Sequence, residues 1–188
     1  MARIILASQS PRRRELIKLI TDDVLCVTAK DEEVIPEGMS PADIPEHLAL
    51  LKALSVKKDY PEDVIVGSDT VVIYGDELLL KPVDKADAFR MLKLLSGRTH
   101  QVITGCAIVK GDRQITFSEV TEVEFYHLSD EEILSYIETF EPMDKAGAYG
   151  IQGKGSLLVK GIKRDYFSVV GLPVASLKRH IDKFTENE

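Results

Sequence analysis

The sequence predicts an α/β protein with a mixed central sheet and flanking helices. Helical and strand patterns alternate along all 188 residues, short apolar runs read as strands, and two strand pairs are joined by Gly-Asp turns. Such turns make hairpins, so the sheet is not purely parallel.

The first strand opens the stretch "ILASQSPRRRELIKLI", residues 5–20, and gives way to a polar turn and a helix. Ser10-Pro11 is a good helix start, because serine caps free backbone N–H groups and proline's missing N–H costs nothing at the first helical position. Arg12, Arg13 and Arg14 fill the first turn. A helix start carries partial positive charge, so three cations there make sense if a multiply negative ligand sits among them.

"VLCVTA" at 24–29 reads as the second strand, followed by the acidic segment "KDEEVIPEGMS". Ser40-Pro41 predicts the next helix start, with Asp43 three residues past the cap and an apolar stripe of Ile44, Leu48, Leu51 and Leu54. That helix ends by Asp59. In "DVIVGSDTVVIYGDELLLKP" the Gly75-Asp76 pair predicts a tight hairpin, with 71–74 pairing 77–80. Asp84 caps a helix that runs through Leu95, and Gly97 stands in the stop position. Two long strands flank Gly111-Asp112, and Ser129 with Glu132 makes a capping box for a helix that stops before Pro142. "DKAGAYGIQGKGS" is too rich in glycine for a regular helix or strand. "SLLVKGI" and "DYFSVVG" read as a last strand pair, ahead of Leu172-Pro173 and a C-terminal helix.

With 44% apolar and 29% charged residues, the composition is that of an ordinary globular protein, and no separate modules are expected. No apolar stretch approaches the roughly 18 residues of a membrane span, and "MARIILAS" shows no cleavage site, which predicts a cytoplasmic protein. The net charge of -7 argues against binding to a nucleic-acid polymer. The arginine cluster is therefore local and points to a small, concentrated anion such as a nucleotide or phosphate ester. Cys26 and Cys106 have no second cysteine or histidine at metal-ligand spacing and read as small buried hydrophobes. His47, His100, His127 and His180 form no zinc pattern.

Asp69 interrupts an apolar run, where an ionised carboxylate needs a cation or a metal; a turn aspartate at a strand end is the equal alternative. The predicted hairpin places Asp69 and Lys81 near one open end. Lys52 lies about 40° from Leu48 around its helix, bordering the apolar stripe, and on its own reads as a snorkelling surface lysine. The run Asp31, Glu32, Glu33 reads as a solvated loop, although Mg2+ held between a carboxylate and phosphates would need such a group. The glycine loop matches neither a Walker motif nor a dinucleotide fingerprint. Lys145, Tyr149 and Gln152 are its candidates for reading a planar base, Gln152 by hydrogen bonds and Tyr149 by stacking. Ser8 and Ser10 read as a phosphate contact and a cap.

Taken together, "ASQSPRR" at 7–13, "GSDTVV" at 67–72, "LKP" at 80–82, "LSGRTHQVITG" at 95–105, "EPMDKAGAYGIQG" at 141–153 and "VVGLP" at 169–173 resemble the Maf family, named after a septum-formation phenotype. The resemblance runs nearly end to end and implies one domain over 1–188. It implies an elongated, two-lobed inosine-triphosphatase-like fold around a cleft, and hydrolysis of nucleoside triphosphates between the α and β phosphates with Mg2+ or Mn2+. Thr70 and Gln152 match the branch that is similar to enzymes acting on dTTP and UTP, with modified pyrimidine nucleotides a further candidate class. It implies Asp69 as general base with Lys52, Lys81 and Glu33 beside it, Glu33 and Asp69 as metal ligands, and Ser8, Arg12, Arg13, Thr70 and Gln152 as substrate contacts. A homodimer is compatible with the family. The competing reading is a nucleotide-binding regulator of cell division with incidental hydrolysis.

Overall fold

A computed structural model of the chain describes residues 3–30 and 34–186. The first strand, β1 (Ile4–Ala7), is fully buried along its length and pairs in parallel with β2 (Val24–Val27) on one side and β3 (Val64–Tyr74) on the other. A strand covered on both faces must be apolar throughout, which is why "IILA" lacks alternation. Two helices make the crossovers, α1 (Pro11–Ile17) and α2 (Ile44–Val56). The strand order is β2-β1-β3-β5-β6-β7, where β5 is Thr99–Lys110, β6 Arg113–Phe125 and β7 Val159–Lys163; β4 (Glu77–Leu79) pairs with β3 off this path. The antiparallel pairs β3/β4 and β6/β7 make the sheet mixed, as expected.

The chain divides into two compact units. One comprises residues up to Asp69, Thr104–Glu119 and the chain from Gly171 on; the other comprises Thr70–Ile103 and Val120–Val170. In the first, Ile5, Ala7, Ala49, Ala53, Val56, Ile65, Ala107 and Val109 form a core under α2. In the second, α3 (Lys85–Leu95) and α4 (Asp130–Ile137) bury Met91, Leu92, Leu95, Ile133 and Ile137 against Val102, Val123 and Phe125.

Local signals account for most boundaries. Ser10 caps α1 with Pro11 at its start, Asp84 accepts from the Asp87 amide at 2.8 Å, and Ser129 and Glu132 form a reciprocal capping box. Two expectations fail. The second helix begins at Ile44, not at Ser40-Pro41, because residues 40–43 close a separate turn through Asp43 N–H to the Ser40 carbonyl. "DYFSVVG" is not a strand but the short helix α5 (Tyr166–Val170). There Asp165 accepts from the Phe167 and Ser168 amides at 3.1 and 3.0 Å, and this side-chain cap overrides the β preference of Tyr, Phe and Val. A last helix, α6 (Val174–Glu186), follows Pro173 as expected.

Candidate functional site

In the first unit the chain leaves β1 at Ser8, whose buried hydroxyl accepts from the Ser10 amide at 3.2 Å. That turn delivers Arg12, Arg13 and Arg14 onto α1, where Arg13 and Arg14 have different surroundings. Arg13 Nε donates to the Gly171 carbonyl at 2.7 Å, and Ser68 Oγ donates to the same oxygen at 3.1 Å. Gly171 has φ 125°, a conformation other residues reach only with strain, so glycine is what lets this carbonyl receive both donors. Arg14 points its charge elsewhere: burial pushes the Cys26 thiol pKa up, and Arg14 and Lys18 oppose that rise. Arg14 Nε is buried with no hydrogen-bond partner among the described residues. Arg12 is half-buried.

Asp69 sits within β3 rather than at a strand end, and its partner is Lys52 of α2. Lys52 Nζ lies 2.5 Å from Asp69 Oδ1, with the two side chains only 12% and 14% exposed. Lys52 is thus a partly buried counter-ion and not a snorkelling surface lysine. α2 approaches β3 closely at Gly67, where a Cβ would overlap the Ala49 carbonyl oxygen. Cys106 is buried as expected, and burial pushes its thiol pKa up to about 12, against a weak contact to Ser68. Cys26 is only partly buried.

Glu33 lies outside the described residues, as do Asp31 and Glu32. The described residues on either side of them are tied to α2 and its C-terminal extension: Lys30 N–H donates to Ser55 Oγ at 3.1 Å, the Lys30 ammonium pairs with Asp59, and His47 Nε2 lies 2.9 Å from the Val34 carbonyl. Among the described residues no three His, Cys, Asp or Glu side chains gather as a metal centre. The hard carboxylate of Asp69, with a lysine on one of its oxygens, is a donor of the kind that suits Mg2+ or Mn2+.

The second unit holds the remaining residues singled out. Thr70 is a half-buried residue of β3, and Lys81 is exposed just beyond β4. Gln152 is exposed at the centre of the glycine loop, with extended backbone. Tyr149 does not offer a face for stacking. It is 5% exposed, its hydroxyl lies 2.8 Å from His100 Nε2, and its ring packs edge-on against Phe125. Lys145 is likewise engaged, donating to the Glu141 carbonyl and the Asp144 carboxylate at 2.7 and 2.6 Å.

Two residues of this unit escaped the sequence reading, Tyr136 and Glu141, and His100 was weighed there only as a zinc ligand. Glu141 carries a signal in hindsight, a carboxylate and a proline placed directly before a glycine-rich run whose amides need acceptors.

The fold, a mixed sheet with a central buried parallel strand, is shared with a HAM1 protein from Coxiella burnetii. That structure superposes with a TM-score of 0.52 over 97% of this chain and 100% of the other, at 16% identity. Sequence then places the chain more narrowly: residues 3–184 match the Maf-like protein family, and the chain belongs to it. It is 50% identical over 184 residues to the dTTP/UTP pyrophosphatase of Bacillus cytotoxicus and 49% identical over 184 residues to that of Bacillus anthracis. Each alignment covers 98% of this chain and 96% of the relative.

Proposed function

We propose that the chain hydrolyses dTTP and UTP to the monophosphate and pyrophosphate. The observation that carries this is the half-identity, over 98% of the chain, to proteins named for that activity. The geometry is consistent with it. A carboxylate held by a lysine in a mostly dry setting is suited to take a proton from water as the water attacks the α phosphorus. The bond to the bridging oxygen then breaks and pyrophosphate leaves with the electron pair.

Each residue has a place in this reading. Asp69 is the general base and Lys52 keeps it oriented. Ser8, Arg12 and Arg13 neutralise and align the triphosphate, Arg13 already braced by Gly171. Lys81 counters charge on the departing pyrophosphate, and Arg12, Thr70 and Gln152 select the base. Asp69 and Glu33 would hold Mg2+ or Mn2+, which when bound supplies positive charge across the phosphate oxygens. In this reading the chain is a single Maf-like domain over 1–188, modified pyrimidine nucleotides are included as substrates, and the protein works in the cytoplasm. No described helix is long and apolar enough to cross a membrane.

The test is pyrophosphate release from canonical and modified nucleoside triphosphates with Mg2+ or Mn2+, for wild type and Asp69→Asn. Release from dTTP and UTP that disappears in the variant and with chelator supports the reading. Binding without release from any nucleotide would make the chain a nucleotide-binding regulator instead.

A further inference from the structure

The loop that carries Gln152 is closed by a half-buried polar clamp centred on Glu141, which follows α4 and precedes the glycine run. Its two carboxylate oxygens divide the work. Oε1 accepts from the Gly155 amide at 2.9 Å and from the Tyr136 hydroxyl at 3.0 Å, while Oε2 accepts from the Lys154 amide at 3.0 Å. Tyr136 passes the connection on, because its oxygen accepts from the Gly150 amide at 3.2 Å. Gly150 and Gly155 are thus pinned to the same carboxylate from opposite ends, and Gln152 sits between them.

Lys145 closes the back of the arrangement by donating to the Glu141 carbonyl, and its aliphatic carbons lie against Gly150. Burial pushes the Glu141 pKa up, but the Gly155 and Lys154 amides and the Tyr136 hydroxyl outweigh it, so the net shift is downward and the carboxylate is held ionised. Burial also pushes the Tyr136 phenol well above its ordinary range, which keeps its proton available for donation. A charged acceptor with three donors binds each more firmly than a neutral one does. A loop containing glycines at 150, 153 and 155 has much backbone freedom to lose, and this clamp is what removes it.

We propose that Glu141, acting with Tyr136, is a positioning residue for base selection: it fixes the 150–155 loop so that Gln152 meets a uracil or thymine edge in one orientation. The proposal rests on the pyrimidine-nucleotide reading above. Glutamine at 141 keeps the shape but replaces one acceptor oxygen with a donor, which then faces an amide or a hydroxyl. Loosening the loop weakens the match to the right base and leaves the phosphate chemistry intact.

The experiment compares wild type, Glu141→Gln and Tyr136→Phe by steady-state hydrolysis of UTP and CTP, with amide hydrogen exchange on the same samples. In Glu141→Gln the UTP preference, as the ratio of kcat/KM values, is expected to fall by about tenfold or more, through a higher KM for UTP, with kcat within about threefold of wild type. Tyr136→Phe shifts the ratio in the same direction by less, and exchange accelerates at 150–155 before other segments in both variants. An unchanged UTP/CTP ratio, or equal loss of kcat on both nucleotides, would overturn the proposal and leave Glu141 a stabilising residue only. Should wild type release pyrophosphate from neither nucleotide, the enzymatic reading fails by itself. The exchange pattern then still judges the clamp, since no selective loosening at 150–155 in Glu141→Gln would refute it.

Discussion

Replacing Lys52 with methionine tests the link between fold and site directly. Methionine keeps most of the apolar stem, so what is lost is the ammonium opposite Asp69 and not the packing. The ion pair spans 2.5 Å, and its side chains are 12% and 14% exposed, so the stranded carboxylate would be nearly cut off from water. Removing one member of a fully buried pair costs about 3–5 kcal/mol, because the remaining charge has no partner. The residual exposure here softens that to roughly 2–4 kcal/mol. For a chain of this size each kcal/mol moves Tm by about 2–4 °C, so Lys52→Met should melt roughly 4–16 °C below wild type near neutral pH. Circular dichroism melts of wild type, Lys52→Met, Asp69→Asn and the double variant make a complete cycle. The double variant should lose less than the sum of the singles, by roughly 1–3 kcal/mol, since it no longer strands a charge. Additive losses, or a Lys52→Met melt within about 2 °C of wild type, would refute the claim that this pair is a shielded and coupled interaction.

Two further outcomes follow from other parts of the molecule. His100 is 2% exposed, and burial lowers its pKa to about 4 from the usual 6.5, so the unfolded chain takes up this proton first as pH falls. Its contribution is complete above the unfolded value and is lost between about pH 6.5 and 4, a difference of roughly 3 kcal/mol that a His100→Gln variant should lack. Urea unfolding of both proteins across that range checks it, and parallel stability curves would contradict the buried neutral imidazole. Asp165→Ala removes the cap of α5 and should cost about 1–2 kcal/mol while speeding amide exchange at Phe167 and Ser168. Unchanged exchange there would mean that α5 is held by packing alone.

Boundaries set by one or two neighbouring residues were legible in the sequence, and those set by distant contacts were not. Ser10, Asp84 and Ser129 each satisfy amides within three positions, so their chemistry is visible in a short window. The Gly75-Asp76 and Gly111-Asp112 turns are equally local. Asp165 was also local, yet the β-branched and aromatic residues after it suggested a strand, and the cap prevailed over propensity. The candidate site shows the same division. Asp69 stood out because it broke an apolar run, but its partner was not legible: hairpin logic favoured Lys81, while the structure gives it Lys52. Tyr149 misled for a related reason. An aromatic in a glycine loop resembles a stacking platform, and only tertiary packing places its ring beside Phe125 and its hydroxyl on His100.

The pairing of Lys52 with Asp69 comes from how closely α2 lies on β3. Gly67 carries no Cβ where the Ala49 carbonyl comes down, and the small side chains of Ala49 and Ala53 are fully buried. Larger residues at those positions would lift the helix and carry the lysine out of hydrogen-bond reach of a carboxylate two residues beyond Gly67. The same helix and its C-terminal extension anchor both described flanks of the acidic segment, through Ser55 and Asp59 on one side and His47 on the other. A displacement of α2 would therefore disturb the orientation of Asp69 and the tethers of the chain that bears Glu33 together. The orientation of the proposed general base thus depends on how well the two alanines pack over Gly67, and the described flanks of the acidic segment are tied to that same helix.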